Sequence, residues 1–73
     1  MQEESEMEQI TGTVEHIVFH KEETGFTVLE LGCENELVTV VGELAGVGEG
    51  EELVCTGFYT SHPQFGDQFK AVM

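Results

Sequence analysis

The chain has almost no positive charge. Lys21 and Lys70 stand alone against fifteen acids in 73 residues, leaving a net charge of −13. Lysine and arginine contacts that displace counterions supply most non-specific affinity for nucleic acid. Two lysines therefore argue against an autonomous, tight grip on a phosphate backbone. The same field disfavours an anionic membrane surface and favours basic partners. The first nine residues hold four of the glutamates, and eleven acids remain beyond them, so the acidity belongs to the folded body. Tryptophan is absent, Pro63 is the one proline, and Cys33 and Cys55 are the only cysteines. Two cysteines make no disulfide framework and include no Cys-x-x-Cys pair. No segment approaches the roughly 18 apolar residues of a membrane span. Residues 1–9 are acidic and polar, unlike a secretory leader. These absences predict a cytoplasmic protein with reduced thiols and no membrane contact.

Seventy-three residues suffice for one small domain, which buries only about 60% of the surface its unfolded chain exposes. Residues 1–8 form an acidic, apolar-poor lead expected to be disordered, and residues 9–73 form the domain. Ile10, Gly12 and Val14 alternate with polar residues. Ile17 and Phe19 then take the opposite parity while Val18 keeps the first. A strand whose inward face changes in mid-course needs a bulge. His20 to Gly25 reads as a turn. Phe26–Leu31 is a second strand and Gly32–Glu36 the next turn. Leu37–Val41 is a third strand, apolar at both parities except Thr39 and so expected to be buried on two sides.

Four glycines between Gly42 and Gly50 exclude a stable helix there. An irregular link is expected, with at most one short turn near Leu44 and Ala45. Glu51–Tyr59 is a fourth strand. Pro63 stops the ladder and Gly66 supplies the turn. Gly66–Val72 is then a fifth strand, with Phe65, Phe69 and Ala71 on one parity. The expected fold is all-β: a five-stranded, OB-fold-like Greek-key barrel with no substantial helix. A small SH3-like barrel is the structural alternative.

Candidate chemistry is sparse. Neither lysine sits in a phosphate-binding G-x-x-x-x-G-K-[ST] loop. Gly46-Val47-Gly48-Glu49-Gly50-Glu51 has Glu51 where a dinucleotide loop needs glycine, and its carboxylates repel phosphate. His16 and His20 are four apart, a helical spacing in a segment that reads as strand. Ser61 and His62 are strand neighbours that point to opposite faces. No catalytic residue, cofactor site or metal site is therefore assigned. OB-folds bind single strands by stacking bases on aromatics in a positive groove. On that reading the candidate nucleic-acid-binding residues are Lys21, Phe26, Tyr59, Phe65 and Lys70.

One set of motifs carries a resemblance. Ile10-Thr11-Gly12-Thr13-Val14-Glu15, Ile17-Val18-Phe19-His20 and Glu22-Glu23-Thr24-Gly25-Phe26-Thr27-Val28-Leu29 come first. Val41-Gly42, Gly50-Glu51, Gly57 and His62-Pro63-Gln64-Phe65-Gly66-Asp67-Gln68-Phe69 follow. In this order and spacing, over residues 10–72, the chain resembles the N-terminal OB domain of RecD-like ATP-dependent DNA helicases, the exodeoxyribonuclease V alpha-chain-like family. The resemblance implies an accessory domain cut from a longer 5′-to-3′ helicase of DNA repair and recombination. ATP and Mg²⁺ would be handled by ATPase domains downstream, and nothing in this chain matches their catalytic motifs. Together with the acidity, it implies docking on a basic surface of the parent helicase or of another protein, with DNA reached through the parent. A stand-alone single-strand-binding module and an acidic decoy that mimics DNA are the rival readings.

Overall fold

A computed structural model describes residues 7–64 and 66–72. Five strands follow one another: β1 Glu8–Lys21, β2 Phe26–Cys33, β3 Glu36–Glu43, β4 Glu52–His62 and β5 Gly66–Ala71. They close into a barrel in the order β1-β2-β3-β5-β4. All neighbours are antiparallel except β3 and β5, which run parallel. This is a five-stranded OB-type barrel, and it contains no helix among the described residues.

β1 belongs to both halves of the sheet. Its first half, Glu8–Thr13, pairs with β4, and its second half, Thr13–Lys21, pairs with β2. Two register shifts, between Val14 and His16 and between Ile17 and Phe19, carry the bend that the parity break predicted. Each bulge adds a residue and turns the inward face by one position. Val14 is thus buried and Ile17 packs against the core, whereas Phe19 turns outward and pairs with Val28. The strand also runs on to Lys21, so the turn is shorter than the expected His20–Gly25. Gly25, at φ +81°, closes it by donating its N–H to the Lys21 carbonyl.

The core is Val14, Leu29, Leu31, Val38, Val40, Cys55 and Phe69, with Ile10, Ile17, Leu44, Val47 and Leu53 packed around it. One polar side chain, Thr27, is buried with them. Its hydroxyl donates to the Gly25 carbonyl at 3.0 Å and lies 2.9 Å from His20 Nδ1, so both its capacities are used. Tight curvature is set by close backbone approach. A Cβ on Gly57 would collide with the Lys70 carbonyl where β4 crosses β5. β3 departs from the expected two-sided burial: Val38 and Val40 face inward, but Leu37 is exposed and Val41 half-buried. The sheet is one layer around one core, so alternate residues of every strand meet solvent.

The link between β3 and β4 is irregular, as its glycines require, and it is sewn to β1. Val14 donates its N–H to the Glu51 carbonyl and accepts from the Gly50 N–H, both at 2.8 Å. Leu44 donates to Gly25. Leu44 and Val47 thereby cover one end of the core in place of a helix.

Candidate functional site

The outer surface of the barrel is built in rows, because strand partners on a sheet stack side by side on the same face. One row runs Phe19, Val28, Val41, Lys70, Phe58 across five strands. The next runs Lys21, Phe26, Glu43. On the other side lies His16, Glu30, Thr39. The first row has a single charge, and it is a cation.

Phe19 and Phe26 in these two rows, with Val18 next to Phe19 in the chain, make an apolar patch that water reaches. Val18 is 53% exposed, Phe19 50% and Phe26 39%. The Phe19 and Phe26 rings meet at a centroid distance of 6.3 Å, tilted by 57°. Two shallow grooves border this pair. One, of about 390 Å³, is lined by Val18, Phe19, Val28, Glu30, Thr39 and Gln68. The other, of about 460 Å³, runs along Phe26, Glu43, Leu44, Lys70 and Val72. Strands 2 and 3 and the loops beside them are where OB-folds take their ligands. Here that surface is apolar, bounded by Glu30 and Glu43, and touched by both lysines.

The five candidate residues divide. Lys21 and Phe26 are register partners, and Phe26 and Lys70 line one groove, so these three share the outer face. Phe65 lies outside the described residues. Tyr59 is elsewhere. Its register partner is Phe69, a core residue, not Lys70. The Tyr59 ring leans edge-on against the Phe69 ring at 5.0 Å and 78°, at the barrel mouth beside the β2–β3 turn. Partial burial of the phenol, with the Glu36 and Glu8 carboxylates nearby, pushes its pKa above the ordinary tyrosine value. Tyr59 therefore faces negative charge.

Sequence reasoning did not single out Phe19 and Val18 as a paired surface. The signal was present in the parity break, but which residue bulges depends on the β2 register. Glu36 and Asp67, which border the Tyr59 slot with Leu37 and Thr39, were also passed over. Among the described residues, no group of three or more His, Cys, Asp or Glu is placed to hold a metal ion. The thiols of Cys33 and Cys55 are both raised above the ordinary cysteine pKa, first by burial, and remain protonated at neutral pH.

Residues 7–73 match the family described as the OB-fold domain of the ATP-dependent DNA helicase YrrC. No curated protein and no solved structure matches the chain.

Proposed function

Because the chain belongs to the family of YrrC helicase OB-fold domains, we propose that it is a non-catalytic accessory domain of a RecD-like, 5′-to-3′ ATP-dependent DNA helicase of cytoplasmic DNA repair and recombination. Its role is to dock. The observation that carries this reading is the outer face itself: the exposed Val18, Phe19 and Phe26 beside a row with one charge, on a body of net charge −13. Contiguous exposed apolar surface rimmed by polar residues marks interaction sites. The surrounding acids favour a basic surface, of the helicase body or of another protein, and repel a bare DNA backbone. ATP and Mg²⁺ act in the parent's ATPase domains.

A second reading has one specific observation in its favour. Phe19 and Phe26 are exposed rings with Lys21 beside them, which is the chemistry that stacks single-stranded bases. Even with both lysines on phosphates, the salt slope of log K for a single strand would be only about −1.4. Direct binding is therefore weak.

Two titrations decide between them. The chain is first offered, at low and moderate salt, to a helicase core of this family that lacks its own OB domain. Capture at low salt that falls with salt, and is lost in the Phe19→Ser/Phe26→Ser variant, supports docking. No capture at low salt overturns it. Fluorescein-labelled oligo-dT is then titrated by anisotropy. Micromolar binding that weakens only gradually with salt, as two lysines allow, and is lost in the Phe19→Ser/Phe26→Ser variant would establish the strand-binding reading instead.

A further inference from the structure

We propose that the slot between β3 and β5, walled by Leu37, Glu36, Tyr59 and Asp67, takes an arginine side chain of the basic partner. The inference rests on the docking reading above, whose partner it describes.

The slot follows from how the barrel closes. β3 and β5 pair only at Val40 with Phe69 and at Val41 with Lys70. Toward the other end of the barrel no register joins Glu36–Thr39 to Gly66–Gln68, and an open space of about 290 Å³ lies there. Its walls come from three strands. Leu37 is an exposed apolar side chain on β3. Tyr59 on β4 presents a ring 44% open to solvent, its other side held against Phe69. Glu36 stands at the start of β3 and Asp67 on β5. The Ser61 hydroxyl donates to Asp67 Oδ1 at 3.5 Å, across the β4–β5 register pair that these residues form. No lysine lines this slot.

Each wall suits one part of arginine. The planar guanidinium stacks on an aromatic ring and offers a fork of donors to carboxylates. Its methylene stem covers apolar surface, here Leu37. Two carboxylates of like charge beside one ring repel each other, and a cation between them relieves both. Lysine offers a point charge, and gains less from the ring and from the paired carboxylates. A phosphate or an acidic peptide is repelled.

The chain carries its own reporter. Tyr59 is its only tyrosine and tryptophan is absent, so tyrosine emission reads the slot alone. The whole chain is titrated at low salt with the capped peptide Gly-Arg-Gly and with Gly-Lys-Gly. The expected result is a saturable change in emission with the arginine peptide, smaller with the lysine peptide, and reduced by salt. Glu36→Gln and Asp67→Asn should each weaken binding by roughly two- to fivefold, the range of partly exposed ion pairs. Val54→Ser, at an exposed position away from the slot and from the docking face, should leave it unchanged. An absent response, or one kept in full by the double variant E36Q/D67N, overturns the proposal. If the peptide leaves Tyr59 undisturbed while the helicase core is still captured, the slot is wrong and docking stands. If the peptide binds and the core is not captured, the docking reading falls.

Discussion

The Glu49 carboxylate accepts a hydrogen bond from the Ile17 N–H at 3.0 Å, across 32 residues of chain. Ile17 stands between the two bulges of β1, past the point where β4 ceases to pair with that strand. A side chain from the β3–β4 link thus supplies an acceptor to a backbone group of a strand that β2 pairs at Leu29 but β4 no longer reaches. His16 Nδ1 approaches the same oxygen at 3.4 Å, but both side chains are mostly exposed and this contact adds little.

Replacing Glu49 by alanine removes the acceptor and loosens the link from β1. The expected cost is about 0.5–1.5 kcal/mol, the net worth of one hydrogen bond that water partly replaces. In a domain of this size that lowers Tm by roughly 4–8 °C per kcal/mol. Glu49→Gln keeps an acceptor oxygen and should stay near the parent. Thermal melts of the two variants check it. Equal losses would mean that charge, and not the bond to Ile17, is what matters.

Gly57 tests how the barrel turns its corner. A methyl group there would strike the Lys70 carbonyl, which cannot withdraw without parting β4 from β5. Gly57→Ala is expected to cost about 1–3 kcal/mol, as overpacking does. Gly50→Ala is the useful contrast. It meets nothing within 4 Å and suffers only from its φ of +92°. Urea unfolding of both separates crowding from backbone strain, with the larger loss of midpoint expected at Gly57.

Alkaline pH should destabilise the fold. The thiol of Cys55 is raised from its usual 9.0 by burial and by Cys33, and the Tyr59 phenol is raised from its usual 10.0 by burial and nearby carboxylates. A raised folded value means that the unfolded chain releases these protons first. The stability they contribute is complete below pH 9.0 and is lost as pH rises through the folded values. Urea midpoints measured from neutral to alkaline pH should fall above that point, and Cys55→Ala should flatten the first part of the fall. An unchanged pH profile in that variant would assign the loss to other groups.

Much of this architecture was readable in the sequence. Alternation at Ile10, Gly12 and Val14, the parity change before Phe19 and the glycine-rich link pointed to the five strands, the bend in β1 and the helix-free β3–β4 link of the described residues. The sites were less readable, for a geometric reason. Lys70 and Tyr59 were grouped by residue type, but Tyr59 is the register partner of Phe69 and so lies one step away from Lys70 on the opposite face of β4 and β5. That register is decided by the connection between β4 and β5, where local sequence gives loop length but not side-chain direction. The Tyr59 slot depends on a parallel pairing of strands far apart in sequence, which no local pattern announces.

The outer face yields the last prediction. Val18, Phe19 and Phe26 are exposed and lie outside the core, and the Phe19 and Phe26 rings stand 6.3 Å apart. Phe19→Ser/Phe26→Ser should therefore change folding stability little, within about 0.5 kcal/mol per site for surface positions. A core variant such as Leu29→Ala should cost about 2–5 kcal/mol, since Leu29 is fully buried. Docking should respond in reverse. The double serine variant should lose capture of a helicase core while melting near the parent temperature, because exposed apolar anchors contribute most when a partner desolvates them. A double variant that melts far below the parent would show that Phe19 and Phe26 support the barrel, and the face would lose its claim to be an interface.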